Sequence, residues 1–547
     1  GPYDVRAVGL PDAVRDRHYN GFSNDTLWPL FHYFPSLVRY EQDWFEHYRA
    51  ANALFLQTLE GTVRPGDRVW IHDYHLMLLP AMLRRKFPSL AISFFLHIPF
   101  PSYEVFRLLP DPWRRELLEG VLGADLAGFQ THDSAQYFLK SVQQLLGADL
   151  DLRTVRSHAH STVVDAFPVS IDPAKFREAF DDHAVVSEKN QIRKDMAHRK
   201  LVLSVDRLDY TKGVLQRLQG FEQFFEDHPE MLGKVTYLLL IVPSRDAMTK
   251  YRELKDRIEA AVGRINGRIG RVDWQPVIYQ YRAVDHKKLC ALYDAADVAL
   301  ITPLRDGMNL VAKEYVAARK DRRGVLILSE TAGAAHELGG ALIINPTDRH
   351  AISAALHRAL DMSAEEQNQR MGEMQIRLGR YDVVRWAEDL LGQLDGAVAL
   401  RRQLQVKEVT AEVRNSFLPS YHVAKARWLF LDHDGTLVPF AKRPADAAPG
   451  KDLLATLAHL ASDDRNAIAI VSGRDRELLD QWYGHLPIHL VAEHGAFTRT
   501  PGSDWTGQPV RTEWKEAVVA LFQQFHDRCP GSLVEEKSTA VAWHYRA

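Results

Sequence analysis

Two sets of side chains in this 547-residue sequence have the types and spacing to do chemistry. The first centres on Thr302–Tyr315, TPLRDGMNLVAKEY, where the apolar run DVALI is followed by a break at Asp306-Gly307 and then by helical spacing in MNLVAKEYVAA. A strand, a glycine turn and a helix N-terminus favour an anion, because free backbone N–H groups and the helix dipole both attract negative charge. Asp306 would repel a phosphate set directly on it, so hydroxyls beside the phosphate suit it better. The two carboxylate oxygens of Glu314 suit a vicinal diol in the same way. Arg207 and Lys212 in SVDRLDYTKG could neutralise a diphosphate leaving group without a metal, and Arg245 in IVPSRD could bind a second phosphate. Together they suggest a nucleotide-sugar pocket, although each stretch alone would serve equally as a surface turn.

The second set is Asp432 and Asp434 in LFLDHDGTLVPF. Residues two apart in an extended exit from a strand face the same way, so both carboxylates can meet at one Mg²⁺ or one phosphoryl group. Two further stretches put polar groups at strand ends, WIHDYH with His72, Asp73 and His75, and FFLHIPFP with His97. A structural histidine is the commoner role for each of those rings.

The elements that must position these residues alternate strand and helix. DRVWIHDY, AISFFLHIPF, DLAGFQ and VVDAFPVSI form a first series with helices between them. KLVLSVDRL, VTYLLLIV, WQPVIYQY, DVALITPL, GVLILSE and GALIINP form a second. Such alternation predicts parallel sheets covered on both faces, and two doubly wound domains in succession leave a ligand cleft between facing strand ends. The expected organisation is an N-terminal domain over 1–195, a nucleotide-sugar domain over 196–396, a helical linker over 397–424 and a third α/β region over 425–547. Composition agrees with roughly three domains: 46% of residues are hydrophobic and 25% charged. Lys+Arg of 68 against Asp+Glu of 71 gives a net charge of -3, which draws the chain neither to nucleic acid nor to anionic membranes. Cys290 and Cys529 lie far apart and have no metal-ligand spacing, pointing to a reducing, cytoplasmic compartment. The longest apolar runs fall well short of the roughly 18 residues that cross a bilayer.

YNGFSNDTLWPLFHY, WIHDYHL, FFLHIPFP, SVDRLDYTKG, EAAVGRINGR and TPLRDGMNLVAKEY together resemble the trehalose-6-phosphate synthases. These are family 20 retaining glycosyltransferases of the GT-B fold, which move glucose from UDP-glucose to glucose 6-phosphate. The resemblance runs from about Arg17 to Gly396. It implies that Arg207 and Lys212 meet the UDP diphosphate and that Met308, Asn309 and Leu310 contact phosphate at the helix N-terminus. It assigns Glu314 to the ribose, Asp306 and His97 to the donor glucose, and Tyr19, Trp28, Asp73 and Arg245 to glucose 6-phosphate. It further implies transfer without an enzymatic nucleophile and without a cofactor: the acceptor attacks on the face that UDP leaves, and a leaving phosphate oxygen takes its proton.

The third region resembles the haloacid dehalogenase phosphatases, in which the first Asp is the nucleophile and the second the general acid/base, with Mg²⁺ held by Asp432 and Asp434. VSGRD gives Ser472 to the phosphoryl group. AEHGAF and VEEKSTAVAWHYR resemble the trehalose-6-phosphate phosphatases in particular, with Glu536 and Lys537 reading the sugar. That family's later lysine and acidic motifs have no counterpart here, and the synthases' first strand and glycine-rich loop would precede residue 1. The expectation is therefore a partial phosphatase domain, inactive as given, and a synthase with weak or no transfer. Two other readings stay open: a non-catalytic sugar-phosphate-binding regulator, and a glucosylglycerol-phosphate synthase using glycerol 3-phosphate. The retained charges favour an enzyme. Oligomeric state, a homo-oligomer included, is not legible.

Overall fold

The computed structural model describes residues 4–157, 160–244, 248–405, 409, 411–439, 441, 446–507, 511–529 and 532–544. The chain forms two compact units, Gly1–Val406 and Lys407–Ala547. No helix among the described residues is long and apolar enough to cross a membrane.

The first unit contains two six-stranded sheets. In the first, β1 (Arg68–His72), β2 (Ala91–Leu96), β3 (Leu126–Phe129) and β6 (His160–Ala166) run parallel, and a hairpin of β4 (Asp149–Asp151) and β5 (Thr154–Ser157) adds antiparallel to β6. Strands β2 and β3 are buried on both faces, which is why they read as unbroken apolar runs rather than as alternating ones. The hairpin is polar and short, and its strands carry little periodicity to read.

The second sheet is parallel throughout, with β7 (Lys200–Arg207), β8 (Val235–Val242), β9 (Val277–Tyr281), β10 (Val298–Ile301), β11 (Val325–Ser329) and β12 (Leu342–Ile344). Its order is β12-β11-β10-β7-β8-β9. The order reverses between β7 and β10, so the connections leave their C-terminal ends in opposite directions and open a crevice there. Arg207 ends β7, and Thr302 follows β10.

The expected linker from residue 397 is corrected. Helix Val383–Gln405 crosses back onto the first sheet: Val383 N donates to Ile171 O at 2.9 Å and Trp386 Nε1 to Phe167 O at 3.1 Å. Ala397 and Val398 lie in the core shared by both sheets. Arg401 is buried and donates to the carbonyls of Pro88, Ser89 and Leu90 while pairing with Asp125 at 3.2 Å. A charged residue in a helical run reads as surface, but its guanidinium here satisfies three buried carbonyls and a buried carboxylate.

The second unit begins with helix Ala411–Val423 and contains a five-stranded sheet, β13 (Arg427–Asp432), β14 (Asn466–Val471), β15 (His489–Ala492), β16 (Phe497–Arg499) and β17 (Thr506–Gly507), the first three parallel. A separate antiparallel pair joins β18 (Leu533–Glu536) to β19 (Val541–His544).

Candidate active site

The crevice beside β7 and β10 collects Arg207, Lys212, Asp306 and Asn309, the residues expected on the donor side. After Arg207 the chain turns through Tyr210–Lys212, capped by Asp209 Oδ1, which accepts from Thr211 N at 3.0 Å. Gly213 follows with φ +66, and a Cβ there would lie 2.6 Å from the Thr302 carbonyl, so only glycine fits the conformation and the space. The turn thereby aims Lys212 at the β10 loop, where its Nζ donates to Asp306 Oδ2 at 2.5 Å. Asn309 Nδ2 donates to the same oxygen at 3.0 Å. Burial would push the Asp306 carboxyl up, but Lys212 outweighs it and holds Asp306 below the usual carboxylate range. Asp306 is thus ionised, with both of these donors on one oxygen, Oδ2. Its backbone is fixed too, donating to Thr331 O and accepting from Gly333 N, both at 3.2 Å.

The helix expected to start at Gly307 starts at Leu310. Asn309 is its N-cap in a left-handed conformation (φ 79, ψ 85), its Oδ1 accepting from Ala312 N at 3.0 Å, while the Met308 carbonyl accepts from Ala334 N at 2.7 Å. Gly307–Asn309 are therefore a fastened loop, and the N–H groups of Leu310 and Val311 stand at the positive end of the helix. Glu314 lies in the second turn. Tyr293 OH donates to its Oε2 at 2.8 Å, so one oxygen has a protein partner and Oε1 is left for a diol; burial raises its carboxyl. Two free oxygens were expected, and the structure supplies one.

Across the crevice, Asp16–Leu27 forms a 12-residue π-helix. Runs of that kind are rare and concentrate at functional sites. It carries Tyr19, 42% exposed, whose ring stacks on His75 at 5.5 Å. The row continues through Tyr74 to the buried Trp28, and the Arg207 guanidinium lies 6.0 Å from the Trp28 ring. Asp73, just beyond β1, has φ 73 and ψ 169, a region almost reserved for glycine, and strain of that kind gathers at sites where position matters. Its Oδ1 accepts from His97 N at 3.2 Å, and burial pushes its carboxyl up to about 6. His97 Nε2 lies 2.9 Å from His72 Nδ1, and burial lowers His97 to about 4, so its ring is neutral. Arg245 lies outside the described residues.

In the second unit, Asp432 ends β13 and accepts from Thr436 Oγ1 at 2.9 Å. Asp434 is engaged at both oxygens by Arg474, through Nε at 2.9 Å and Nη2 at 2.5 Å. Each oxygen of Asp434 thus already has an Arg474 partner, which leaves one further acceptor position on each for the expected Mg²⁺ or phosphoryl group. Ser472 is buried, its Oγ accepting from Arg474 N at 3.1 Å. Lys537 Nζ donates to Gly473 O at 2.8 Å, next to Ser472, while Glu536 pairs with Lys515 at 3.2 Å. The structure brings Lys537 to the loop at Ser472–Arg474 and ties Glu536 to Lys515.

Residues 2–396 match the description "Glycosyltransferase family 20". The chain belongs to that family. Residues 430–547 match "Trehalose-phosphatase". The "Bifunctional trehalose-6-phosphate synthase/phosphatase" of Thermoproteus tenax is 46% identical over 548 residues, covering 99% of this chain and 74% of the relative. A trehalose-phosphate synthase structure from Burkholderia xenovorans in complex with glucose-6-phosphate has TM-score 0.67 and 37% identity, covering 71% of this chain and 87% of that one. One from E. coli bound with UDP-2-fluoro glucose has TM-score 0.67 and 37% identity, covering 70% and 85%. The GT-B architecture is the one these structures share with the family 20 portion here.

Within the family 20 unit the cleft is closed. The Arg305 guanidinium sits 3.9 Å over the Tyr33 ring, Phe34 meets Tyr210 edge-on at 5.1 Å, and Lys250 pairs with Asp25. Gly307 backs directly onto the His97 carbonyl and Ile98. One residue escaped the sequence reading. Arg217 is fully buried and donates to Asp206 Oδ2 and Lys212 O, each at 2.6 Å, and to Thr302 Oγ1 at 3.1 Å, joining the three segments that carry the donor-side groups. Its signal was available: Val214, Arg217, Leu218 and Phe221 share one helix face, so a charge stands on the apolar stripe.

Proposed function

We propose that the Arg207–Lys212–Glu314 side of the cleft binds UDP-glucose and the Tyr19–Trp28–Asp73 side binds glucose 6-phosphate, so that glucose is transferred to give trehalose 6-phosphate. The carrying observation is the largely buried Lys212–Asp306–Asn309 cluster at the β7/β10 reversal, with the His97 backbone carbonyl packed against Gly307 beside it. It supports transfer by positioning. Asp306 Oδ2 is committed to two protein donors, which suits holding sugar hydroxyls better than attacking an anomeric carbon. A neutral His97 can orient a hydroxyl but has no proton to give as an acid near neutral pH. What remains for the protein is to hold the two sugars in line and to stabilise the departing diphosphate with Arg207, Lys212 and the helix N-terminus. The leaving phosphate oxygen then takes the acceptor's proton. The test is UDP release from UDP-glucose that depends on glucose 6-phosphate.

Two outcomes bear on individual roles. Glu314→Gln keeps the shape but loses a charge-assisted bond, so UDP should bind on the order of 10–100-fold more weakly by calorimetry; unchanged affinity removes this helix from the nucleotide site. Asp73, with its carboxyl near 6, has to be ionised to accept acceptor hydroxyls. Its carboxylate is lost as pH falls through 6, so KM for glucose 6-phosphate should rise between pH 7 and pH 5. Asp73→Asn should erase that rise beyond the change due to the phosphate itself. Stability runs the other way: a raised carboxyl has a burial cost above pH 6 that protonation relieves.

The second unit is proposed to remove phosphate from trehalose 6-phosphate, Asp432 attacking phosphorus. The hard oxygen donors of Asp432 and Asp434 fit Mg²⁺, which when bound would offset charge on the phosphoryl oxygens. Ser472 and Lys537, on either side of Gly473, are proposed to hold the phosphoryl group. In the full-length gene product, Asp432→Asn should lower phosphate release at least about 10³-fold, since the attacking carboxylate is lost; residual activity near that of the parent protein rejects the assignment.

A further inference from the structure

We propose that His228, Glu230 and His357 form a site for a divalent transition-metal cation on the family 20 unit, away from the sugar cleft, with zinc as the best-suited ion. Among the described residues they are the one group of three or more metal-type side chains whose ligand atoms all lie within 4.8 Å of one another.

The local fold brings them together. His228 ends helix Val214–Asp227, its N–H closing the last turn on Phe224 O at 2.9 Å; Glu230 lies in the Pro229–Met231 turn; His357 is on helix Arg349–Leu360. The two imidazoles stack at 3.9 Å with 17° between their planes, and His228 Nδ1 is 3.4 Å from Glu230 Oε1. The helices are fixed before any ion arrives, because Ser353 Oγ donates to Asp227 Oδ2 at 2.6 Å and Gln223 holds the other oxygen at 2.9 Å. His350 Nδ1 lies 4.0 Å from Asp227 Oδ2.

The two imidazoles are borderline donors, and beside a single carboxylate they favour zinc or copper over magnesium or calcium. Tetrahedral zinc wants its ligand atoms roughly 3.3 Å apart, so the group must contract, and one of the two stacked rings must turn so that both in-plane lone pairs meet at the ion. Glu230 is free to move, its side chain being 57% exposed, and its open side leaves room for water as the fourth ligand. The ion would staple the end of helix Val214–Asp227 to helix Arg349–Leu360. The first of these helices begins directly after Lys212-Gly213 and carries Arg217, so occupancy bears on how firmly the donor-side loop is held.

The test uses the untagged chain stripped with EDTA and kept in excess Mg²⁺, which competes for carboxylate-only sites elsewhere on the protein. Titration with zinc chloride should show one equivalent bound and a rise in thermal midpoint. Glu230→Gln and His357→Ala should each weaken that equivalent on the order of 10–100-fold or more, as loss of even an outer partner does in metal sites. Co²⁺ should give visible absorption in the parent protein that both variants lose. Glu230 is exposed, so its variant folds and keeps the comparison valid. The proposal is overturned if the parent binds no such equivalent, or if both variants bind zinc as the parent does.

Discussion

Gly307→Ala should cost this protein about 10²-fold or more in transfer rate while leaving its thermal midpoint nearly unchanged. A Cβ at Gly307 would fall well inside contact distance of the His97 carbonyl oxygen and 3.2 Å from Ile98 Cα, both of them backbone atoms that cannot rotate away. The glycine has no positive φ, so alanine brings no torsional strain and the cost is steric alone. The loop cannot yield either, since Thr211, Thr331, Gly333 and Ala334 fasten it at Leu304, Asp306 and Met308. The remaining relief is for the two sheets to part by roughly 1 Å at this point, enough to misplace the donor sugar relative to the acceptor. UDP should still bind, because its groups lie on one sheet. A rate within threefold of the parent, measured by UDP release, would refute the close approach, and scattering should report a larger radius of gyration for the variant.

Arg217→Met should be the most destabilising single change in the donor half, at roughly 3–5 kcal/mol. The loss is large because Asp206 stays behind, buried and unpaired; burial already pushes its carboxyl up with Arg217 in place. Lys212 also loses the anchor on its carbonyl, so UDP affinity should fall together with stability. The double substitution Asp206→Asn, Arg217→Met removes the stranded charge and should recover much of the stability. It should not recover UDP affinity, because the tie to Lys212 is still missing. Recovery of both would mean that Arg217 only balances charge.

These two residues mark where the sequence stops being legible. The parallel sheets were readable because strands buried on both faces appear as apolar runs of strand length between helical periods, as in YLLLIV and ISFFL. The cleft followed from the order of those elements, and the charged residues in it from the chemistry a diphosphate requires. Gly307 could be read as a turn, but the His97 carbonyl it touches is 210 positions away in sequence. Arg217, Lys313 and Arg401 are charges on helices, which usually face water. All three are buried here, with Lys313 donating to Val169 O at 2.8 Å and pairing with Glu337. Asp434 was expected open, and Arg474, forty positions on, holds both its oxygens. The start of the helix at Leu310 depended on a left-handed Asn309, which no spacing rule announces. The polar hairpin β4–β5 and the π-helix carrying Tyr19 lack a period that would identify them.

The return of helix Val383–Gln405 to the first sheet means that the backbone passes between the two halves of the transferase twice, and the passes touch: Ile171 meets Val383 and Phe167 meets Trp386. A joint pinned at two adjacent points resists twisting and sliding and permits swinging about one line. Opening to admit substrates is then a swing about that line, and Asp25 with Lys250 and Tyr33 with Arg305 are contacts that such a swing would part.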